Sequence, residues 1–376
     1  MNTKIWLSSP HMSGKEQKYI KEAFDTNWVA PLGPNVNGFE EDLQNYLGNN
    51  SCVAALASGT SALHLGLILL GVSKGDEVIC QSKTFSASAN PILYQGAVPI
   101  FVDSERDTWN LCPEQLEIAI KHRLSLGKKP KAIIAVHLYG MPYKVDDIIS
   151  ISKKYDIPIL EDSAESLGST YKGVKCGTFG DISILSFNGN KIITTSGGGA
   201  LVAKTKEIKD EAVFLSTQAR DNAPHYEHSK IGYNYRMSNI VAGIGRGQMT
   251  ILNSHVSKRR HNFDFYKNSF CDINPIQFLN EPKGMFSNRW LTTILLPSYK
   301  IREALREFLL TDNIESRPLW KPMHLQPVFK DAPKYLNGIS ENLFERGLCL
   351  PSGSNLTKSD LARVVNKVKE YFQNVR

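Results

Sequence analysis

From residue 53 onward, short apolar runs alternate with stretches that carry apolar residues at helical spacing. The runs are four or five residues long, as buried strands often are, and they are rich in Val, Ile and Ala. The predicted strands are residues 77–80, 98–102, 132–136 and 157–160, and the accompanying predicted helices are residues 61–70, 87–93, 113–120 and 145–155. Strands that alternate with helices usually pair in parallel, so the pattern predicts an α/β protein with a mostly parallel sheet flanked by helices.

The pattern is different at the two ends of the chain. Near the amino terminus, residues 13–24 and 36–46 carry apolar positions on one face, so two amphipathic helices are predicted there as an entrance segment. A long helical pattern over residues 239–260 leads into a region that contains Trp290 and Trp320. An amphipathic helix over residues 358–372 is predicted to close the chain.

Length and composition are those of a globular protein with more than one core. At 376 residues the chain exceeds the size that one hydrophobic core usually serves. We therefore expect a large domain with the entrance segment over residues 1–250 and a smaller α/β domain over residues 251–376. The net charge of +7 comes from scattered lysines and arginines. Because no basic run is interleaved with aromatic residues, nucleic acid is not expected as a partner.

Cysteine usage and hydropathy set the expected compartment. The six cysteines lie far apart, and neither they nor the histidines have the spacing of a metal site, so we expect reduced thiols and no metal. The sequence has no segment of signal-peptide type and no run of the ~20 apolar residues that a membrane helix needs. The expected location is the cytoplasm, with no membrane partner.

Three local patterns carry candidate chemistry. Lys191 lies between predicted strands at residues 182–187 and 200–203, next to small and flexible residues. Asp162 ends an apolar run, and Gly59 stands in a turn that enters a helix. Taken alone, a lysine beside a strand is usually solvated, and an aspartate there is more often a cap. Their order along an alternating α/β chain predicts a shared site, because active sites gather at the carboxyl ends of parallel strands.

The three patterns together predict a site for pyridoxal phosphate. This cofactor needs an amine to form an imine, an anion site for its phosphate, and a carboxylate that keeps its pyridine nitrogen protonated. Lys191 is predicted to supply the amine and to move a proton, and Asp162 to pair with the pyridinium. The helix start at Gly59, with the hydroxyls of Thr60 and Ser61, suits the phosphate. Phe85 is predicted to stack on the ring.

Over nearly its whole length the chain also resembles the DegT/DnrJ sugar-nucleotide aminotransferases, which have the fold-type I architecture of pyridoxal phosphate enzymes. The matching motifs are Ser58-Gly59-Thr60-Ser61-Ala62-Leu63-His64, Val136-His137-Leu138-Tyr139-Gly140, Glu161-Asp162-Ser163-Ala164-Glu165, Ser186-Phe187 before Lys191, and Gly232-Tyr233-Asn234-Tyr235-Arg236. The resemblance implies a seven-stranded type of sheet in a large pyridoxal phosphate-binding domain, and a homodimer with shared active sites.

The resemblance also implies further roles for single residues. Ser186 would hold the phosphate together with the chain near Thr60, and Asn234 would reach the phosphate from the neighbouring subunit. Glu165 stands where the family usually has a glutamine that donates to the phenolic oxygen of the cofactor. A carboxyl group makes that bond only when it is protonated, so this position departs from the family pattern.

A narrower resemblance is to the 4-aminotransferases of bacillosamine and legionaminic acid synthesis. It rests on Pro31-Leu32-Gly33, Ser287-Asn288-Arg289-Trp290-Leu291 and the segment from Glu315 to His324. It implies L-glutamate as the amino donor and UDP-2-acetamido-2,6-dideoxy-4-hexulose as the acceptor. The product would be UDP-4-amino-4,6-dideoxy-N-acetylglucosamine. The candidate substrate-binding residues are Trp28, His137, Tyr233, Arg236, Arg289, Arg317 and His324.

Three alternatives stay open on the sequence. The first is a related aminotransferase that acts at C3 or on a dTDP- or GDP-linked sugar. The second is a 3-dehydratase of the same fold, against which Lys191 argues because such relatives carry histidine in its place. The third is a regulatory or binding protein that keeps the fold without catalysis.

Overall fold

The structure of the protein is a computed structural model that describes residues 2–48 and 51–374. Residues 1, 49, 50, 375 and 376 fall within the two predicted domains but lie outside the described residues. The helices are α1 (Glu16–Asp25), α2 (Pro34–Leu47), α3 (Gly59–Leu69), α4 (Ser86–Tyr94), α5 (Pro113–Ser125), α6 (Val145–Tyr155), α7 (Lys206–Ser216), α8 (Asn239–Met249), α9 (Leu252–Ser269), α10 (Tyr299–Thr311), α11 (Ile339–Arg346) and α12 (Lys358–Asn374).

The strands form three sheets. They are β1 (Cys52–Leu56), β2 (Glu77–Gln81), β3 (Val98–Val102), β4 (Ala132–Val136), β5 (Ile159–Asp162), β6 (Thr170–Tyr171), β7 (Val174–Lys175), β8 (Ile182–Ser186), β9 (Gly199–Ala203), β10 (Gln277–Phe278), β11 (Met285–Phe286), β12 (Thr292–Leu295), β13 (Arg317–Pro318), β14 (Lys334–Tyr335) and β15 (Gly347–Leu350). In the large sheet the order is β1-β9-β8-β5-β4-β2-β3-β14. Only β9 runs antiparallel to its neighbours in this sheet. The mostly parallel α/β fold predicted from the sequence is therefore confirmed.

The two faces of the large sheet are both covered by helices. Alternate residues of β4 and β5 point to opposite faces, as in any strand. Ile133 and Ile159 pack with apolar residues of α5 and α6, while Ile134 and Leu160 pack against α3. A Cβ atom on Gly66 of α3 would lie 2.7 Å from the side chain of Leu160, so α3 packs closely on the sheet. This packing explains why the central strands are apolar throughout.

The carboxyl-terminal part of the chain forms its own antiparallel sheet and also returns to the large one. The small sheet has the order β10-β12-β15-β13, and an apolar core joins it to α9, α10 and α12. The two-residue strand β14 pairs in parallel with β3 and adds an eighth strand to the seven that were predicted. The domain division at residue 250 stays a prediction. Strand β14 lies after that boundary but pairs with β3, which lies before it.

Two predicted boundaries differ from the structure for local reasons. The helical pattern over residues 239–260 is broken into α8 and α9, because Ile251 has non-helical backbone angles (φ −118°, ψ 3°). Strand β5 begins only after Pro158, which has no N–H to donate, and it extends to Asp162. None of the helices formed by the described residues has both the length and the apolar character of a segment that crosses a bilayer.

Candidate active site

A cavity of about 300 Å³ opens where β5 and β8 end and where α3 and α4 begin. Seven of the nine residues predicted to bind the cofactor line this cavity: Gly59, Thr60, Phe85, Asp162, Glu165, Ser186 and Lys191. Residues separated by more than a hundred positions in the sequence thus meet at the carboxyl edge of the sheet. This is the edge at which ligands bind in open parallel sheets.

Lys191 projects its amine into the cavity. Its Nζ atom lies 3.5 Å from Oε1 of Glu165 and 4.2 Å from the centroid of the Trp290 indole ring. Only 11% of the lysine side chain is exposed. The loop that carries it has no regular structure between β8 and β9. The amine is therefore held between a carboxylate and an aromatic face, in a place that a small ligand can reach.

Asp162 is buried at the end of β5 and is fixed by two donors. The Ser88 hydroxyl donates to Oδ2 at 2.6 Å, and the Ala164 N–H donates to Oδ1 at 3.1 Å. Burial raises the pKa of the Asp162 carboxyl, although these two hydrogen bonds and the charge of Lys191 act in the opposite direction. A carboxyl group in this place can pair with a cationic group in the cavity, which would favour its charged form.

The amino end of α3 forms the polar corner of the cavity. Ser58 caps the helix, because its Oγ accepts from the Ser61 N–H at 2.9 Å. The first N–H groups of a helix have no partner within it, so those of Gly59 and Thr60 suit an anion. A Cβ atom on Gly59 would lie 2.9 Å from Cβ of Ser186, so glycine lets the helix start approach the end of β8. Ser61 itself bonds to Ser58 rather than lining the cavity.

Glu165 lies beside the lysine amine, at the position that departs from the family pattern. Burial raises the pKa of Glu165, whereas the charge of Lys191 and the Tyr139 N–H, which donates to Oε2 at 2.7 Å, act in the opposite direction. The carboxyl is thus tied to the backbone on one side and to the amine on the other. Its predicted hydrogen bond to the cofactor stays a prediction.

Glu161, next to Asp162 in β5, anchors this end of the sheet. Its carboxylate accepts from His137 Nε2 at 2.7 Å, and its other donors are the N–H groups of Gly177, Phe179 and Gly180 and the hydroxyls of Ser163 and Ser183. Burial raises the pKa of Glu161, but the hydrogen bonds outweigh it and hold the pKa at about 2. The side chain is therefore a buried anion that many donors satisfy.

Replacing Glu161 with Gln is expected to lower the free energy of unfolding by about 3 kcal/mol at pH 7, because an amide leaves some of these donors unpaired. The folded-state pKa of about 2 lies below the ordinary value of 4.5. The stabilisation by Glu161 is therefore present above pH 4.5 and is lost as the pH falls towards 2. Urea unfolding at several pH values measures this, with Glu22→Gln on the exposed face of α1 as the control. A difference from wild type that does not shrink in acid would contradict the account.

His137 and His324, both predicted to contact substrate, lie buried outside the cavity lining. The Tyr143 N–H donates to His137 Nδ1 at 3.2 Å, so the proton is on Nε2, which donates to Glu161. His324 contacts the Ser82 hydroxyl through Nδ1 at 2.6 Å and Glu341 through Nε2 at 3.1 Å. Both rings thus have protein partners, and their substrate contacts stay predictions.

The three candidate arginines also lie away from the cavity lining. Arg236 pairs with Glu40 and donates to the carbonyl of Ala55 at 3.0 Å. Arg289 donates to the carbonyl of Leu279 at 2.8 Å. Arg317 is exposed and pairs with Glu315 at 2.9 Å. Of the three, Arg317 keeps the most solvent access for an anionic ligand.

The remaining candidates lie on the surface of the chain. Trp28 is 40% exposed in the connection between α1 and α2. Tyr233 is half-buried and stacks on Tyr235, with ring centroids 5.0 Å apart. Asn234 is exposed and does not line the cavity of its own chain. These positions leave their predicted ligand contacts untested.

Several residues in or beside the cavity were not predicted from the sequence as site residues. Ser58 caps α3. The Ser88 hydroxyl donates to Asp162 and itself accepts a hydrogen bond from the Thr84 hydroxyl at 2.7 Å. Trp290, also not predicted, and Trp320 form an aromatic wall that faces Phe85, whose ring centroid lies 6.2 Å from that of Trp320. For Trp320 the sequence suggests packing on the sugar or uracil, with a place in a subunit interface as the alternative. Thr84 lies two residues before the start of α4, and its position four residues before Ser88 is the signal that could have found that pair.

A larger cleft of about 820 Å³ lies elsewhere, lined by residues of β10, α11 and the loop after β3. None of the residues predicted for the site lines it, and within the described residues no lysine does. The smaller cavity is therefore the candidate active site. It fits pyridoxal phosphate, since it combines an amine, a buried carboxylate, a helix start and an aromatic ring. Lys191, Asp162, Gly59, Thr60, Ser186 and Phe85 would hold the cofactor.

Comparison with known proteins gives the same assignment. The sequence pattern of the DegT/DnrJ/EryC1/StrS aminotransferase family matches residues 10–369. A relative from Bacillus subtilis (strain 168), named "Putative pyridoxal phosphate-dependent aminotransferase EpsN", is 52% identical over 379 residues, covering 100% of this chain and 97% of the relative. GDP-perosamine synthase from Escherichia coli O157:H7 is 38% identical, covering 98% of this chain and 99% of that one.

Solved structures have the same fold. The PLP form of Spr1654 from Streptococcus pneumoniae superposes with a TM-score of 0.92 at 28% identity, covering all of both chains. A DegT DnrJ EryC1 StrS aminotransferase from Brucella abortus gives a TM-score of 0.89 at 30% identity and covers 95% of each chain. The chain therefore belongs to the DegT/DnrJ/EryC1/StrS aminotransferase family and is a pyridoxal phosphate-dependent enzyme.

Proposed function

We propose that this enzyme moves the amino group of L-glutamate to C4 of UDP-2-acetamido-2,6-dideoxy-4-hexulose, giving UDP-4-amino-4,6-dideoxy-N-acetylglucosamine. The observation that carries the aminotransferase assignment is the meeting of Lys191, Asp162 and the start of α3 in one cavity. The choice of sugar is supported by the motifs shared with the 4-aminotransferases of bacillosamine and legionaminic acid synthesis. The reaction would take place in the cytoplasm.

The cavity residues divide the work of such a transfer. Pyridoxal phosphate, when bound, supplies an electron sink that stabilises negative charge on the carbon losing its proton. Lys191 would take the proton from the α-carbon of glutamate and return it at the cofactor C4′ atom, since its amine is the basic group held inside the cavity. Asp162 would hold the pyridine nitrogen in its protonated form. Glutamate leaves as 2-oxoglutarate, and the keto sugar then receives the amine by the reverse sequence.

The aromatic wall supports a sugar nucleotide as the second substrate. Phe85 is 56% exposed at the cavity, and the rings of Trp290 and Trp320 lie close to one another, with centroids 6.3 Å apart. Flat aromatic faces suit the apolar faces of a deoxy sugar or of a base. We propose that Trp320 contacts the sugar nucleotide where it enters the cavity, while Phe85 stacks on the cofactor ring.

A second candidate substrate is a GDP-linked 4-keto-6-deoxy sugar. The 38% identical relative from Escherichia coli O157:H7 is named GDP-perosamine synthase. A panel of UDP-, GDP- and dTDP-linked 4-keto and 3-keto sugars, compared by kcat/KM with L-glutamate as the donor, separates the candidates. The highest kcat/KM is expected for the UDP-linked 4-keto sugar. A higher value for the GDP-linked sugar would replace the proposed substrate while keeping the reaction.

We also propose that the enzyme is a homodimer in which Asn234 completes the site of the neighbouring subunit. Asn234 is exposed and is absent from the cavity lining of its own chain, as that role requires. If so, mixing two inactive homodimers, Lys191→Met and Asn234→Ala, is expected to restore activity. Each mixed dimer then has one site with both residues intact. Activity assays after unfolding and refolding the mixture measure this.

The control is each variant refolded alone, which is expected to stay inactive. If Asn234 served its own chain, the mixed dimer would lack one essential residue in both sites. A mixture that stays inactive, although it forms mixed dimers, would therefore contradict the shared site.

A further inference from the structure

Arg259 on α9 is a buried cation that the reaction described above does not use. It is only 1% exposed, and burial lowers its pKa to about 9, so the guanidinium stays charged at neutral pH. Among residues 2–48 and 51–374, no carboxylate forms an ion pair with it. A buried charge without an opposite charge is costly, so its hydrogen bonds have to compensate for the lost water.

Those hydrogen bonds go to the backbone of the two residues whose side chains meet in the cavity. Nη1 donates to the carbonyl of Trp290, and Nη2 donates to the carbonyl of Lys191 at 3.4 Å and to the Ser8 hydroxyl at 3.0 Å. The side chains of the same two residues contact each other, since the Lys191 amine lies 4.2 Å from the centroid of the Trp290 ring. One guanidinium thus binds the backbone carbonyls of both members of this cation–π pair.

A second layer of hydrogen bonds closes this arrangement into a ring. The Ser8 hydroxyl and the Trp290 indole N–H both donate to the carbonyl of Asn190, each at 2.7 Å. Ser8 comes from the amino-terminal segment, Asn190 from the irregular loop between β8 and β9, and Trp290 from the segment before β12. Arg259 is at the centre of the contacts that join these three segments.

We propose that Arg259 is a positioning residue for amino transfer, which fixes the backbone of Lys191 and the indole of Trp290 so that the amine stays in its working place. The planar fork of a guanidinium can hold two carbonyls in fixed directions, which a lysine cannot do. The loop belongs to neither a helix nor a sheet, and the Lys191 N–H makes one turn hydrogen bond within it, to the carbonyl of Asn188 at 2.9 Å. The carbonyl of Lys191 accepts from Arg259, so its direction depends on this donor from outside the loop. The proposal rests on the proposed function in taking Lys191 as the reacting amine.

The test compares Arg259→Met and Arg259→Lys with a matched control, Arg302→Met. Arg302 is also a buried arginine, at 2% exposure, but it lies on α10 outside the cavity. Both methionine variants remove a buried guanidinium, so both are expected to lose stability. Only the Arg259 variants are expected to change the lysine loop.

The first readout needs neither cofactor nor substrate. In the cofactor-free enzyme, amide hydrogen exchange of residues 189–195 is expected to become at least about tenfold faster in Arg259→Met, because the loop opens more often. Arg302→Met is expected to leave this segment unchanged. An unchanged rate in a folded Arg259→Met variant would overturn the proposal.

The second readout uses the bound cofactor. The rate at which L-glutamate converts the enzyme in a single turnover is expected to fall by about 100-fold in Arg259→Met, since small displacements of a reacting group cost rates of that order. Arg259→Lys is expected to recover only part of this loss. Arg302→Met is expected to keep the wild-type rate. A rate for Arg259→Met equal to that of Arg302→Met would overturn the proposal.

A second variant tests the proposal if Arg259→Met is unstable. If Arg259→Met does not fold, Ser8→Ala removes one bond to Asn190 and one from Arg259 at a half-buried site, and a loss of about fivefold is expected. An unchanged rate in Ser8→Ala would then overturn the proposal. If wild-type enzyme is not converted by glutamate, the proposed function fails, while the exchange measurement still decides whether Arg259 holds the loop.

Discussion

Replacing Lys191 with Met is expected to stop amino transfer, with turnover falling by about 10⁴-fold. The amine of Lys191 is the only lysine amine that lines the cavity among the described residues, so no neighbour can replace it as the group that moves the proton. The start of α3, Ser186 and Asp162 stay in place in this variant. We therefore expect pyridoxal phosphate to bind without a covalent bond to the protein.

Steady-state assays with L-glutamate and the keto sugar measure the loss. The control is Lys204→Met. Lys204 is 54% exposed, pairs with Asp181 and lies at the end of the sheet opposite to the cavity. It is expected to keep the wild-type rate. Turnover of Lys191→Met within about tenfold of wild type, a difference of only 1.4 kcal/mol in barrier, would show that another group does the work.

Replacing Asp162 with Asn is expected to lower turnover by about 10²–10³-fold while the cofactor stays bound. Asn has nearly the same shape, and the hydrogen bond from the Ala164 N–H to Oδ1 can remain. A neutral amide, however, does not stabilise a protonated pyridine nitrogen. The loss is thus expected in the rate of conversion and not in the amount of cofactor bound.

Asp181→Asn is the matched control for this prediction. Asp181 lies just before β8, at the opposite end of the sheet, and its carboxylate accepts from the Ile159 N–H at 2.8 Å. This variant is expected to react like wild type. If Asp162→Asn bound cofactor and also turned over at the wild-type rate, the role assigned to Asp162 would be wrong.

The sequence predicted best the features that depend on neighbouring residues. The end of β5 at Asp162 and the helix start at Gly59 both follow from local patterns, an apolar run before a carboxylate and a glycine before helical spacing. Their meeting with Lys191 follows from the parallel sheet, whose carboxyl ends share one edge. The fold, and the meeting of these three residues in one cavity, were therefore accessible from the sequence.

Features that depend on long-range partners were less accessible. Arg236 has the chemistry of an anion ligand, but in the structure it pairs with Glu40, almost two hundred positions earlier. Trp290 and Trp320 reach the cavity from segments that follow α9 and α10, and nothing in their local sequence fixes where they pack. Strand β14 has only two residues, too few for a periodic pattern.

The most direct test of the central claim is the absorption spectrum of the purified protein with pyridoxal phosphate, taken before and after L-glutamate and again after the UDP-linked 4-keto sugar. We predict an absorption band from cofactor bound to Lys191, its loss with glutamate, and its return with the sugar. Loss without return would leave an aminotransferase with a different sugar substrate. A protein that shows no such band despite added cofactor would contradict the assignment of Lys191 and of the cavity.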